Sequence, residues 1–100
     1  MATQTPFSGI VKRDGRIVPF DAEKITFAVF RALRAAEQPD RKEAEKITNI
    51  VLLHLSEKLK TGDLPRVEEI QDMVELALFE SGHFNAAKSF IIYRRQHAEL

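Results

Sequence analysis

The sequence predicts an α+β domain: a four-helix bundle capped by a small, two- to three-stranded β-sheet that begins with an N-terminal β-hairpin. Three observations carry this prediction. Asp14-Gly15 stands between two β-forming runs, residues 9–13 and 16–20, and Asp-Gly in that setting is a strong hairpin signal. Apolar residues then recur at helical spacing in four separate stretches. The links between those stretches are short, which favours neighbouring helices in a bundle. A two-stranded ribbon is marginal alone and needs such a bundle to lie on.

The elements follow in order. A two-residue type I′ turn at Asp14-Gly15 sets Arg13 opposite Arg16, Lys12 opposite Ile17 and Val11 opposite Val18. Pro19 cannot donate to a ladder, so the second strand is short or at an edge. Asp21 is a good N-cap for the first helix, and Glu23 suits the positive end of its dipole. Ile25, Val29, Ala32, Leu33 and Ala36 form its inner face, and Gln38-Pro39 ends it. Asp40 with Glu43 makes a capping-box-like start for the second helix. Its inner stripe is Ile47, Ile50, Val51, His54 and Leu55, and residues 58–62 are its exit. Residues 63–66 are extended and are the candidate third strand. The third helix runs from about Val67 to Ser81, with Ile70, Val74, Ala77 and Leu78 inward and Gly82 as the stop. Asn85 is the expected cap of the fourth, which turns Ala87, Phe90, Ile91 and either Tyr93 or Arg94 inward.

Composition narrows the function. One hundred residues, 44% apolar and 30% charged, make one globular domain. Residues 1–8 read as a flexible arm, 9–97 as the domain, and 98–100 as a helical end cut from a longer chain. No apolar run approaches the roughly 18 residues that cross a bilayer, and no signal-peptide pattern is present. The absence of cysteine excludes disulfides and thiolate metal sites and fits a cytoplasmic protein. Fifteen cations balance fifteen anions, which weighs against direct nucleic-acid binding, where a basic excess dominates affinity. The cations are uneven, however. Lys12, Arg13, Arg16 and Lys24 fall near the start, and Lys88, Arg94 and Arg95 near the end. If the two ends meet, they form one positive pocket suited to a small polyanion.

The decisive segment is the hairpin running into the first helix. It places Lys12 and Arg13 beside the turn and Lys24 in the first helical turn. Cations near a helix N-terminus make a seat for phosphate, since the amides and dipole there already favour anions. A Lys point charge and an Arg fork are the usual triphosphate ligands. Lys24 at the third helical position opposes the dipole, a small cost that a bound anion offsets. The plain alternative for all three is a solvated charge. No nucleophile–base pair and no carboxylate dyad of helical spacing argues for catalysis. His54 reads as a satisfied core histidine, and the three histidines show no metal-ligand spacing.

These residues resemble a known family. Residues 11–15 (Val-Lys-Arg-Asp-Gly), then Pro19-Phe20-Asp21 and Lys24-Ile25, are similar to the N-terminal signature of the ATP-cone domain. Residues 67–74 and 86–94, the latter ending in Tyr93-Arg94, resemble its later helices, so the likeness spans about residues 9 to 97. The resemblance implies a four-helix bundle under a small sheet that binds ATP or dATP as effector, with Mg2+ accompanying the phosphates. It implies an allosteric domain, not itself an enzyme, that controls the activity or assembly of a ribonucleotide reductase. The implied partners are an adenine nucleotide, a reductase catalytic or radical subunit, and a second copy of the chain.

By the same resemblance Lys12 and Arg13 match the phosphate-contacting pair, and Lys24 a helix lysine near the phosphates. Ile10 and Val11 match strand residues bordering the base, and Gly15 the turn that lets the hairpin close as a lid. Asp21 is a cap first, with a secondary place at the adenine amino group or ribose. Tyr93, Arg94 and Gln96 match the fourth-helix end of the pocket. Arg66 stands where relatives carry Thr or Ser; it is a poor N-cap and a candidate further phosphate contact. Other functions stay open: the effector domain of a repressor of reductase genes, a β-ribbon that binds nucleic acid, or a helical interaction module holding no nucleotide.

Overall fold

The computed structural model describes residues 7–97. Its order is β1 (Gly9–Val11), β2 (Ile17–Pro19), α1 (Ala22–Ala35), α2 (Arg41–Lys58), α3 (Val67–Glu80) and α4 (Phe84–Gln96). The expected arm at residues 1–8 and helical end at 98–100 lie mainly outside the described residues. Phe7, at the inner edge of that arm, is buried and stacks on Phe20 with ring centroids 5.4 Å apart.

The hairpin forms, with a register one residue away from the expected one. Gly9 faces Pro19, Ile10 faces Val18 and Val11 faces Ile17. A type I′ turn needs positive φ at both central residues. Only Gly15 has it, at 91°, whereas Asp14 does not. The loop therefore grows to three residues. The Gly15 amide bonds the Lys12 carbonyl at 2.9 Å, and the Lys12 amide bonds the Arg16 carbonyl at 2.8 Å. That is a turn followed by a left-handed glycine, the commonest three-residue hairpin. Asp14 fixes it by accepting from the Arg16 amide and Nε at 3.1 and 2.7 Å.

The candidate third strand is reduced to one parallel bridge between Val11 and Arg66, with the Val11 amide bonded to the Pro65 carbonyl at 2.9 Å. Pro65 has no amide, so the segment cannot extend the ladder in both directions. The bridge nonetheless ties the ribbon to the entry of α3.

The helices pack in a ring: α1 and α3 each lie against both α2 and α4. Asp21 and Asp40 cap α1 and α2 as expected, accepting from the Glu23 and Glu43 amides. At α3 the Arg66 side chain has no acceptor to offer. Glu69 instead reaches back to the Arg66 amide at 2.9 Å, half of a capping box. Helix four starts two residues earlier than expected: His83, not Asn85, is its N-cap, and its carbonyl accepts from the Ala87 amide. On α2 the inner stripe is Ala44, Ile47, Thr48, Val51 and Leu55. His54 is not in the core; it sits half-exposed and 3.2 Å from Glu80. Thr48 occupies the core instead because its hydroxyl is satisfied by the Ala44 carbonyl and by Thr26. Among the described residues no helix is long and apolar enough to cross a membrane.

Candidate functional site

The ribbon and three of the helices line a half-open cavity of about 210 Å³. Four elements build it. The hairpin gives Ile10, Lys12 and Val18, the N-cap of α1 gives Asp21, and α1 itself gives Lys24 and Ile25. Helix α3 gives Val67, Ile70, Gln71 and Val74, and α4 closes it with Phe90 and Tyr93. The inner wall is apolar, and two lysines stand at its edge. Lys12 is placed there by the turn and Lys24 by its position as the third residue of α1. Among the described residues neither lysine forms an ion pair. The amides at the start of α1 are less free: Glu23 donates to the Asp21 side chain and Lys24 to the Asp21 carbonyl. The positive potential of this edge therefore comes chiefly from the two ammonium groups.

Other residues singled out from sequence fall elsewhere. Arg13 is next to Lys12 but reaches α3, donating to Gln71 at 2.8 Å and lying 3.4 Å from Glu68. It shares a separate outer cleft with Glu75, Arg94 and Arg95. Of the early cations only Arg13 meets the late ones there, while Lys12 and Lys24 line the other cavity and Lys88 the cleft between α1 and α4, so the single positive pocket expected from the sequence does not form. Arg94 is held by Asp72 at 2.8 Å and Glu75 at 2.5 Å. Burial works against its charge, but the hydrogen bonds it donates to Glu75 and Asp72 outweigh that and raise its pKa above the usual guanidinium value. Val11 contributes backbone to the bridge and does not line the cavity. Gly15 shapes the turn, and Asp21 is both cap and cavity wall. Arg66 is exposed at the start of α3, outside the cavity.

Tyr93 borders two spaces, the cavity under the ribbon and a wider cleft of about 470 Å³ between α1 and α4 that also holds Gln96. Arg31 lies 4.3 Å above the Tyr93 ring and donates to its hydroxyl at 3.0 Å, and His97 stacks 4.0 Å from the ring. Arg31 and Gln71 are the polar residues that sequence reasoning missed. Gln71 lies within the stretch of α3 that carries the resemblance, which was the available signal; Arg31 had none. Among the described residues no group of three His, Asp or Glu could hold a metal ion.

Comparison with known proteins gives a family. The model of the ATP cone domain matches residues 8–99. The chain is 39% identical over 92 residues to a vitamin B12-dependent ribonucleoside-diphosphate reductase of Thermoplasma acidophilum, covering 87% of this chain and 12% of that protein. It is 42% identical over 91 residues to the enzyme of the same name from Mycobacterium tuberculosis, covering 89% and 12%. It is 38% identical over 96 residues to a ribonucleoside-diphosphate reductase subunit alpha of Chlamydia pneumoniae, covering 87% and 9%. The chain thus spans about a tenth of the length of these relatives.

Proposed function

The chain belongs to the ATP cone domain family, and from that premise we propose that it is an allosteric module that binds ATP or dATP beneath its hairpin. In this reading it regulates a ribonucleotide reductase in the cytoplasm, through that enzyme's activity or the assembly of its subunits, and carries out no chemistry itself. One observation supports it above the rest: Lys12 and Lys24, from different elements, flank a single cavity with an apolar inner wall. An apolar wall with a few placed polar groups suits a base and sugar. Paired ammonium groups at the rim suit a polyphosphate. Mg2+ would arrive with the phosphates, since the described residues offer it no donor cluster.

The cavity's 210 Å³ is below the roughly 300–1,000 Å³ of typical ligand pockets. In this reading the hairpin is the part that lifts to admit a nucleotide, as the lid expected from the sequence. ATP and dATP differ by one hydroxyl. A switch between them requires that hydroxyl to favour one conformation or assembly over another, and a coupling of about 1–3 kcal/mol would be ordinary.

Titration calorimetry of the chain with ATP, dATP and GTP tests the reading. Adenine nucleotides are expected to bind with millimolar or tighter affinity and GTP more weakly. No heat of binding with either adenine nucleotide would reject it.

A further inference from the structure

Lys12 and Arg13 are neighbours at the hairpin tip, yet their surroundings differ. Lys12 lines the cavity. Arg13 is clasped to α3, with Nη2 donating to Gln71 Oε1 at 2.8 Å and Nη1 at 3.4 Å from Glu68 Oε2. The clasp is unevenly made. The second Glu68 oxygen, Oε1, is buried without a hydrogen-bond partner. The Arg66 Nε stands 3.9 Å from it, beyond hydrogen-bond reach. A buried acceptor with no donor is destabilising, and the Arg66 charge at 3.9 Å offsets that only in part, so Glu68 holds Arg13 with one long contact and an incompletely satisfied carboxylate. Gln71, the better partner, is itself part of the cavity wall. Arg13 is therefore one side chain away from the cavity, tied there by a neutral amide and a poorly satisfied carboxylate.

We propose that Glu68 and Gln71 act as an internal stand-in for a polyanion. They hold Arg13 on α3, and a bound polyphosphate draws it off them and into the cavity. The contact is autoinhibitory: ligand binding must break it, so the observed affinity is lower than that of the freed hairpin. The exchange is selective by charge. A guanidinium–phosphate bond is charge-assisted on both sides; of the two contacts it replaces, the short one to Gln71 is so on one side only, and the Glu68 contact, charged on both, is long at 3.4 Å. A triphosphate can drive the exchange, and an uncharged nucleoside cannot. This proposal rests on the nucleotide-binding reading above.

The test is calorimetry of the whole chain with ATP and with adenosine, using wild type, Glu68→Gln, Arg13→Ala and the double variant. Glu68→Gln keeps the side-chain volume and weakens the clasp. It is expected to tighten ATP binding about two- to fivefold, in line with a partly exposed ion pair, and to leave adenosine unchanged. The gain should vanish in the Arg13→Ala background. Unchanged or weaker ATP binding by Glu68→Gln overturns the proposal. So does a gain that survives Arg13→Ala, which would come from removing negative charge near the phosphates. If wild type binds ATP and Glu68→Gln behaves as wild type, the clasp falls and the nucleotide-binding reading stands. If wild type binds no ATP, both fall.

Discussion

The bundle and the ribbon are held by different forces. Val29, Leu33, Ile47, Val51, Leu55 and Leu78 are fully buried between the helices. In the ribbon each strand has three residues, and Ile17 is 65% exposed. The ribbon is tied to the bundle by Phe7 and Phe20, which flank it and join the buried core, by the Val11–Pro65 hydrogen bond and by the polar clasp of Arg13. A region with few buried contacts and exposed hydrogen bonds opens at low free energy, while a packed core opens only with global unfolding. The candidate site lies on the boundary between the two. In the proposed reading, that division is what would let a ligand move the hairpin without disturbing the helices.

The sharpest way to break this contrast is to damage the platform alone. Leu33→Ala leaves a cavity at a fully buried position between α1 and its neighbours. It should cost about 2–5 kcal/mol, read as a lower urea midpoint of the helical circular-dichroism signal. A loss under 1 kcal/mol would mean that the core is looser than described. The smallest expected effect lies at the hairpin tip. Hydrogen bonds from the Arg16 amide and side chain hold the Asp14 carboxyl below its ordinary value of 3.8. Its folded pKa is depressed, so its contribution is complete above that ordinary value and is lost as pH falls through the lower folded one. Asp14→Asn should therefore leave stability unchanged relative to wild type in strong acid and lower it slightly at neutral pH. Denaturation at the two pH values checks the sign.

The same contrast explains what could be read in advance. Periodicity located all four helices, because burial of one face repeats every turn: Ile70, Val74, Ala77 and Leu78 are the buried residues of α3. Periodicity misjudged His54 and passed over Thr48, since a threonine whose hydroxyl is satisfied internally packs as an apolar residue does. The hairpin was legible but its register was not. Asp-Gly serves both the two-residue turn and the three-residue turn ending in a left-handed glycine, and only the backbone at Asp14 decides. Lys12 and Lys24 stood out because both lie in one local segment. The contributions of α3 did not, because the contacts of Arg13 with Glu68 and Gln71 join residues 55 and 58 positions apart, a distance that local patterns do not reach.

In the proposed function, Lys12 and Lys24, from different elements, serve one anionic ligand. Calorimetry of Lys12→Ala/Lys24→Ala with ATP, beside its helical circular-dichroism spectrum, tests it most directly. The account predicts affinity at least about tenfold weaker, since contacts to a charged group contribute about 1.5–3 kcal/mol each, with the helical signal intact. A double variant that binds ATP as tightly as wild type would contradict it.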